Sequence, residues 1–368
     1  MPYAHITGWG MAVPDHILTN EDLARTVDTN DEWIREMTGI RERRVANEKD
    51  FPSTLAVDAS IKALAVANLK PTDIDLIICS TSSPEYIFPA TACLIQDQLG
   101  ASKAGAFDLL AACTGFIFAT NMAAQAIRSG SIKNALVIGA ETLSRFVDWN
   151  DRKTCILFGD GAGAFVLQAS EEPGGVLSAV MHSDGSGGDL LSLPGGGSRF
   201  PASDATLKDG KHYIHMNGRE VFRFATRVMG QAAKEVLDLA GLTTDDVQWI
   251  IPHQANYRII ETAAKYLKLP LERFVINVDR YGNTSTASIP IAAVEALEKG
   301  LIHKGDKIVM VGFGAGLTWG ALAAEWTGPL PTTERAVHVE RYRTWARVRS
   351  LLLRIMRFIE GLIWGRNS

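Results

Sequence analysis

Three residues of this 368-residue chain have the types and local settings for nucleophilic chemistry. Cys113 lies at the predicted start of a helix, where unpaired N–H groups and partial positive charge favour a thiolate. His253 directly follows a predicted strand, in a loop from which it can reach a site, and Asn283 precedes another predicted helix. Taken singly, each residue also has an ordinary interpretation: a small buried thiol, a loop histidine and a helix cap.

An internal repeat relates the regions that carry these residues. Residues 69–78 match residues 242–251 at an offset of 173, and residues 113–130 match residues 283–300 at an offset of 170. Short apolar runs at 76–79 and 135–139 predict buried strands, and the apolar, alanine-rich segment 115–127 predicts a buried helix. The pattern predicts an α/β chain with two duplicated halves. We expect Cys113 and Asn283 at equivalent helix starts, which converge if the halves pack about a pseudo-twofold axis.

Composition excludes several classes of protein. The chain is 46% hydrophobic and 21% charged, enough for a sizeable core, and its net charge of −4 gives no global field for nucleic acid. Four cysteines without a C-x-x-C pair indicate neither a disulfide framework nor a zinc site, so no metal is expected and free thiols favour the cytoplasm. The first residues do not resemble a signal peptide, and no run approaches the about 20 apolar residues of a membrane span.

Two glycine-rich segments do not predict a nucleotide cofactor. Residues 158–163 and 312–316 adjoin predicted strands, but neither is followed by the helix and acidic residue of a dinucleotide site, and no Walker A pattern occurs. Tight turns explain both segments, and the second could also present an amide N–H to an oxyanion.

Together the motifs resemble the β-ketoacyl-[acyl-carrier-protein] synthase III family. The resemblance rests on AACTGF around Cys113, PHQAN around His253 and GNTSTAS around Asn283, with further matches at 28–34, 38–43, 158–163 and 313–320. It covers about residues 3–326. It implies the thiolase fold, a five-layered αβαβα arrangement of two similar halves, and a homodimer.

The resemblance implies a ping-pong condensation without a cofactor. Cys113 would take an acyl group from acyl-CoA, and malonyl-acyl-carrier-protein would then lose CO2 and attack the acyl-enzyme. His253 and Asn283 would donate hydrogen bonds to the enolate, since neither brings negative charge. The backbone N–H groups of Cys113 and Ala315 would form the oxyanion hole.

Further site residues follow from the resemblance alone. It implies Trp33 and Arg152 around the adenine of CoA, and Thr29, Gly218 and Asn256 along the pantetheine or its phosphates. Family members often have an arginine where this chain has Met37, and whether Arg35 replaces it stays open. The remaining implied residues are Phe88, which would limit the acyl pocket, often across the dimer interface, and Arg258 and Lys265, which would face the carrier protein.

Enzymes with related activities differ from this chain at identifiable positions. Thiolases use a second cysteine, but none follows Cys155, and hydroxymethylglutaryl-CoA synthases use a glutamate where this chain has Ser82, although Glu85 is close. A pathway-specific synthase or acyltransferase of secondary metabolism with the same triad stays possible, as does, less favoured, a non-catalytic lipid-binding or scaffold protein. The acyl primer is not determined.

The C-terminal tail differs from the rest of the chain. We predict two halves at 1–173 and 174–326, a linker at 327–334 and a basic amphipathic helical tail at 335–368. The tail has a charge of +6 and the rest −10. One predicted helix face carries Tyr342, Trp345, Val348, Leu352, Ile355, Met356, Ile359 and Ile363, and Arg343, Arg347, Arg354 and Arg357 lie largely opposite. An anionic membrane surface and the enzyme's own surface are both compatible with it; the working prediction is a peripheral membrane or partner-binding helix dispensable for chemistry.

Overall fold

A computed structural model describes residues 1–329 and 338–363, with side chains up to residue 360. The strands are β1 Tyr3–Ala12, β2 Ile17–Thr19, β3 Glu42–Arg44, β4 Leu76–Ser80, β5 Gly105–Leu109, β6 Asn134–Glu141, β7 Gly161–Ser170, β8 Gly175–Ser183, β9 Leu191–Ser192, β10 His215–Met216, β11 Trp249–Pro252, β12 Lys307–Gly314 and β13 Thr318–Glu325. The helices are α1 Asn20–Leu23, α2 Asp31–Thr38, α3 Pro52–Ala67, α4 Thr91–Leu99, α5 Gly115–Arg128, α6 Asp204–Lys208, α7 Gly218–Ala240, α8 Tyr257–Leu267, α9 Val278–Tyr281, α10 Ser288–Glu298 and α11 Val339–Ile363.

Local sequence explains where the longer helices begin and end. Pro52 occupies the first position of α3, where its missing N–H costs nothing, and Asn68 ends that helix in the left-handed conformation. The side chain of Asn217 caps α7, and Gly241 closes it. Most of α5 is buried, as its apolar sequence predicted, because it lies between two sheets.

The second main sheet repeats the order of the first four strands of the first main sheet. The first runs β1-β7-β6-β4-β5, and the second runs β8-β13-β12-β11. Leu76 pairs with Ala135 in the first sheet and Trp249 with Ile308 in the second, each 173 residues further on. Even a β-bulge recurs, at Thr7 between β1 and β7 and at residue 177 between β8 and β13. The duplication expected from the sequence is therefore present in the backbone.

Three apolar clusters define five layers. Helices α3 and α4 pack against the outer face of the first sheet, α5 and α10 lie between the sheets, and α7 and α8 cover the outer face of the second. Each sheet is thus covered on both faces, which is why its central strands are apolar on both sides. The fold is the expected αβαβα arrangement, with α11 as an additional helix.

The structure corrects one detail of the repeat. Short 3-10 turns at Ala112–Thr114 and Ser285–Ala287 precede α5 and α10, so the residue equivalent to Cys113 is Thr286. Asn283 lies three residues earlier, in the loop before the second turn. The offset of 170 holds only toward the helix ends, because α10 has 11 residues and α5 has 14.

The predicted boundaries at 173/174 and 326/327 fall outside regular elements. The border at 173/174 lies between β7, which ends at Ser170, and β8, which begins at Gly175, and the division itself stays a prediction. The linker 327–334 lies largely outside the described residues, as do the two ends of the tail 335–368.

Candidate active site

The 3-10 turn before α5 fixes Cys113 at the interface of the two halves. Ala112 has a φ of 46°, a conformation that non-glycine residues rarely adopt and that is held here by its surroundings. On the other side of Cys113, the Thr114 hydroxyl lies 2.7 Å from Ala111 O and 2.8 Å from the Thr318 hydroxyl. Cys113 is 7% exposed, so its thiol is reached only through the cavities described below.

His253 lies at the end of β11 with one ring nitrogen engaged. Its Nδ1 is 2.6 Å from Ser288 Oγ, whereas its buried Nε2 has no hydrogen-bond partner within the described chain. Ser288 Oγ also accepts the Gln254 N–H at 3.4 Å, which leaves the Ser288 hydroxyl hydrogen available to Nδ1. This arrangement favours the tautomer with its proton on Nε2. Burial lowers the pKa of His253 to about 3, so the ring is neutral.

Asn283 presents its amide nitrogen in a comparable way. Its Oδ1 accepts the Ser285 N–H at 2.9 Å, so Nδ2 is the group left to donate. Its backbone N–H donates to Leu157 O at 2.8 Å, and its carbonyl accepts the Gly159 N–H at 3.0 Å. These bonds hold the loop before α10 against the segment between β6 and β7.

The three residues predicted to be catalytic line one cavity. Cys113, His253 and Asn283 all line a space of about 80 Å³ beneath Phe313 and Gly314. A second space of about 90 Å³ also opens onto Cys113, with Ala315 and Ser285 beside it. Its remaining lining is mostly apolar: Ser82, Ala112, Leu143, Phe146, Phe158, Leu191, Ser192, Leu193 and Ile214. The thiol therefore lies between a largely apolar cavity that contains the two predicted donors and a second apolar pocket.

The ionisation of Cys113 differs from the expectation. Burial raises the pKa of the thiol to about 12, the Ser285 hydroxyl acts against this rise, and the charge of Glu141 adds to it. The helix start predicted a thiolate, whereas the removal of water from around Cys113 favours the protonated thiol. The free enzyme therefore holds a protonated thiol, whose proton must leave during any nucleophilic attack.

The backbone around Cys113 leaves room for an oxyanion. A side-chain carbon placed on Gly314 would lie 2.7 Å from Cys113 N, so only glycine keeps the space before that N–H open. Ala315 follows directly and lines the apolar pocket on the same side. The predicted oxyanion hole thus combines a turn of the first half with the end of β12.

Comparisons with known proteins agree with this geometry. A family model described as 3-Oxoacyl-[acyl-carrier-protein (ACP)] synthase III matches residues 107–185, and its C-terminal counterpart matches residues 237–326. A β-ketoacyl-[acyl-carrier-protein] synthase III of Symbiobacterium thermophilum is 56% identical over 87% of this chain and 97% of its own length. One from Roseiflexus sp. is 51% identical over 88% and 99%.

A solved structure gives the same result. The 3-oxoacyl-[acyl-carrier-protein] synthase III of Aquifex aeolicus is 47% identical, superimposes with a TM-score of 0.81, and is matched over 88% of this chain and 99% of its own. This chain belongs to the β-ketoacyl-[acyl-carrier-protein] synthase III family. It is therefore an acyltransferase of the condensing class with a thiolase fold. Residues 327–368 extend beyond the C-terminal family model.

In this synthase III chain, two of the residues expected around CoA are in contact. The Arg152 guanidinium lies 4.9 Å from the ring centre of Trp33, and the same side chain pairs with Asp28 at 3.3 Å. Thr29 lies beside Asp28, and its buried hydroxyl has no hydrogen-bond partner within the described chain. Gly218 and Asn256 line the cavity that contains the triad. These positions extend from the surface toward Cys113.

Met37 is contacted by two residues that the family resemblance implicates in substrate or carrier-protein binding. Asn256 Nδ2 donates to Met37 O at 2.9 Å, and Arg258 Nη1 lies 3.9 Å from its sulfur. Arg35 instead pairs with Asp31 at 3.3 Å and lines a separate surface cavity of about 740 Å³. Arg258 therefore contacts the residue at the position of the missing arginine, whereas the Arg35 guanidinium is paired with Asp31. Lys265 is exposed on α8, away from these contacts.

Phe88 is not brought into either cavity of its own chain. Its side chain is 84% exposed, and it lies in the loop before α4 with Tyr86 and Ile87, which are also exposed. A role in limiting the acyl pocket would require a second copy of the chain.

Three positioning residues were not identified from the sequence. Ser288 contacts His253, Ser285 lies between the loop of Asn283 and Cys113, and the Glu141 carboxylate accepts bonds from the Ser82 N–H, the Ser83 hydroxyl and the Thr286 N–H. Ser285 and Ser288 lie inside the GNTSTAS motif, but the motif alone does not indicate what either serine contacts. An alignment of the two halves at an offset of 173 would have paired Ser288 with Gly115.

Proposed function

We propose that this chain catalyses the condensation that starts fatty acid synthesis. Acyl-CoA and malonyl-acyl-carrier-protein are converted into 3-oxoacyl-acyl-carrier-protein, CoA and CO2, with no cofactor. The observation that carries the proposal is the convergence of Cys113, His253 and Asn283 on one cavity. A nucleophile and two neutral donors are what a thioester exchange followed by an enolate intermediate requires.

The first half-reaction transfers the acyl group to Cys113. The sulfur attacks the thioester carbonyl, the N–H groups of Cys113 and Ala315 stabilise the oxyanion, and the C–S bond to CoA breaks. Because burial raises the pKa of the thiol, its proton leaves during the attack and ends on the departing CoA sulfur. The apolar pocket of about 90 Å³ then holds the acyl chain, which supports a short primer.

The second half-reaction forms the new carbon–carbon bond. Loss of CO2 from malonyl-acyl-carrier-protein leaves an enolate, whose oxygen accepts hydrogen bonds from His253 Nε2 and Asn283 Nδ2. The enolate carbon attacks the acyl-enzyme carbonyl, and Cys113 leaves as the thiolate and is reprotonated. Ser288 positions His253 and fixes its tautomer through Nδ1, so that Nε2 donates rather than accepts.

The substrates would approach along the surface residues already described. Arg152 and Trp33 are proposed to hold the adenine, and Thr29, Gly218 and Asn256 the pantetheine or its phosphates. Arg258 and Lys265 are proposed to contact the acidic carrier protein. The position of Arg258 beside Met37 supports a part for Arg258, rather than Arg35, in nucleotide binding as well.

A homodimer is part of the proposal. Strand β5 is an edge of the first sheet, and the start of α4 is tied to it by two bonds from backbone N–H groups to Asp108. This edge exposes large apolar side chains, namely Tyr86, Ile87, Phe88, Phe107 and Leu110. Unpaired strand edges with exposed apolar residues are typical of subunit contacts. A second copy would cover them and bring its Phe88 toward the partner's pocket.

The enzyme is proposed to work in the cytoplasm, at the surface of an anionic membrane that the tail contacts. A pathway-specific synthase of secondary metabolism with the same triad is the second candidate. Both candidates use Cys113 in the same way, and they differ in the acyl primer that they accept.

Acylation of Cys113 tests the proposed reaction. With a short acyl-CoA, mass spectrometry should find the acyl group on Cys113 and not on Cys79, Cys93 or Cys155. Cys113→Ser should lower condensation by on the order of 10⁴-fold or more, because the nucleophile is lost. Cys93→Ser, at an exposed cysteine, is the matched control and should retain activity. Full activity of Cys113→Ser would exclude the synthase mechanism.

A primer panel separates the two candidates. The purified enzyme is incubated with malonyl-acyl-carrier-protein and acyl-CoAs of increasing length, and the products are identified by mass spectrometry. Preference for acetyl or short branched primers supports fatty acid initiation. Product formation only with an unusual primer, or release of a product that is not bound to the carrier, supports the pathway-specific synthase.

A further inference from the structure

Helix α11 has two opposite faces with different environments. The mooring face, defined as Val339, Arg343, Ala346 and Ser350, packs against α3 and α4. Eight large apolar side chains lie on the other side and are between 44% and 72% exposed. This apolar stripe consists of Trp345, Val348, Leu351, Leu352, Ile355, Met356, Phe358 and Ile359. At 3.6 residues per turn the centres of the two faces lie about 180° apart.

The mooring face fixes the first turns of α11 on the body. Val339 and Ala346 are almost completely buried, and Ala346 lies against Gly100, where any side chain would crowd it. Arg343 pairs with Asp58 of α3 at 3.0 Å, and the Ser350 hydroxyl donates to Asp97 of α4 at 2.7 Å. Docking on the body and binding to a surface are therefore not alternatives for this helix, because the face that docks is not the apolar one. Tyr342, predicted on the apolar face, is half-buried.

The shape of the apolar stripe identifies its partner class. It covers an arc of about 160° and, at 1.5 Å per residue, a length of about 20 Å between residues 345 and 359. A helix seam between two chains is narrower and has charged residues at its borders in complementary pairs. This stripe has Arg347 and Arg354 along one border and Arg349 along the other. Wide apolar faces bordered by arginine and containing Trp and Phe are typical of helices that lie in a membrane interface.

Charge distinguishes the lipid surface from another copy of the chain. The tail 335–368 has a charge of +6, so two tails repel each other, whereas anionic headgroups attract it. The remaining residues sum to −10, which makes the tail the part of the chain suited to a negative membrane. Among the described residues, no helix is long and apolar enough to cross a bilayer. A helix lying along the surface is therefore the arrangement that buries the stripe.

We propose that α11 is a moored lipid-binding helix. The apolar stripe enters the headgroup region of an anionic bilayer, and the mooring face holds the enzyme with α3 and α4 toward the membrane. The inference deepens the membrane contact of the proposed function and rests on it, but it does not depend on the condensation chemistry. It assigns the lipid contact to the apolar stripe between residues 345 and 359, and the body contact to the mooring face between residues 339 and 350.

Vesicle binding by the full chain tests the stripe. The chain should co-sediment with vesicles of mixed phosphatidylglycerol and phosphatidylcholine, bind pure phosphatidylcholine more weakly, and lose affinity as salt is added. The double variant Leu352→Glu/Ile355→Glu should lose about tenfold or more in affinity, since two charges would enter the apolar interface. Leu239→Glu, at a 64% exposed leucine on α7, is the matched control and should bind normally.

The mooring face is tested separately. Ala346→Glu should speed hydrogen exchange in residues 339–350 but keep vesicle binding within about threefold, because the apolar stripe is intact. Acylation of Cys113 without vesicles should be unchanged in all variants, so a failure of the chemistry is seen apart from a failure of membrane binding.

Three results would overturn the proposal. One is a full chain that does not bind anionic vesicles. Another is a larger oligomer in sedimentation that Leu352→Glu/Ile355→Glu dissociates, since a second copy would then cover the stripe. The third is loss of vesicle binding in Ala346→Glu with α11 still helical by circular dichroism, which would refute the division into two faces.

Discussion

The two duplicated halves have nearly the same backbone at the active site but different side chains. The 3-10 turns before α5 and α10 each begin with a left-handed residue, Ala112 with a φ of 46° and Ser285 with a φ of 47°. The next residue is Cys113 in the first half and Thr286 in the second. Thr286 is structural, because its hydroxyl donates to Ser80 O at 2.9 Å. The duplicated frame therefore supplies two helix starts, of which one carries the proposed nucleophile.

The two 3-10 turns also differ in the residue that faces each of them from the neighbouring strand. Strands β6 and β12 end in Glu141 and Gly314, which are equivalent positions. Glu141 Oε1 accepts the N–H of Thr286 at 3.4 Å, whereas Gly314 has no side chain to approach the N–H of Cys113. One turn is closed by a carboxylate, and the other is left open for an oxyanion. A single glycine thus leaves open, in one of two similar turns, the N–H that we propose stabilises the oxyanion.

At the ends of strands β4 and β11, it is the second half that carries the residue with a proposed chemical role and the first half that carries a structural one. Ser80 at the end of β4 is equivalent to His253 after β11, and Gly115 is equivalent to Ser288. Ser80 donates to Leu109 O at 3.2 Å, and it lies so close to Gly115 that a side chain there would clash. In the second half the same contact joins His253 to Ser288. In the proposed mechanism the first half supplies the nucleophile and the second supplies the donors, so neither half would be complete alone.

The largest effect within this comparison is expected from the donors of the second half. His253→Ala and Asn283→Ala should each lower malonyl decarboxylation by on the order of 10²–10³-fold, because a donor to the enolate is lost. Acylation of Cys113, measured by mass spectrometry in the absence of malonyl-acyl-carrier-protein, should change much less. If both variants fail chiefly at acylation, His253 is instead the general base for the thiol.

Closing the open turn should have the next largest effect. Gly314→Ala places a carbon about 2.7 Å from Cys113 N and should lower condensation by on the order of 10²-fold, through loss of one oxyanion donor. The matched control is Gly197→Ala, where no atom lies within 4 Å of the added carbon. Normal condensation rates in Gly314→Ala, measured by product formation, would show that the Cys113 N–H is not part of the oxyanion hole.

The contact between His253 and Ser288 should have a smaller effect. Ser288→Ala removes the bond that fixes the tautomer and should lower decarboxylation by about 10–100-fold, as for other residues that orient a histidine. The fall should be in kcat rather than in KM, and Ser288→Thr, which keeps the hydroxyl, should recover part of it. Ser80→Ala is the control from the first half and should leave kcat nearly unchanged. Equal losses in both variants would indicate a purely structural role.

The smallest expected effect concerns the pH dependence of the reactivity of Cys113. Because burial raises the pKa of Cys113 to about 12, the thiolate fraction is small at neutral pH and grows as pH rises. Alkylation of Cys113 by iodoacetamide, followed by mass spectrometry, should therefore keep accelerating above pH 9, in step with the thiolate. A plateau near pH 7 would show that the helix start lowers the pKa more than burial raises it.

The sequence determined the architecture and pointed to the residues that we propose react. Buried strands at 76–79 and 135–139, the buried helix at 115–127 and the repeat at an offset of 173 all follow from apolar pattern and spacing, which are local properties. Cys113, His253 and Asn283 were found through their motifs, and the structure places all three on one cavity. The amphipathic helix in the tail was also predicted from its periodicity, because the spacing of apolar and basic residues along the sequence determines which of them share a helix face.

Only the tertiary structure decided how these parts meet. The opening of the Cys113 N–H depends on Gly314, which is 201 residues away in sequence, and the tautomer of His253 depends on Ser288 in another element. The rise in the pKa of Cys113 comes from burial between two sheets, which no local motif encodes. The tail shows the same limit: periodicity gave a helix with an apolar face, but packing of Ala346 against Gly100 decided which face meets the body. The hydrophobic pattern of a segment determines which of its side chains can be buried. Contacts between residues that are distant in sequence determine which other segment covers them.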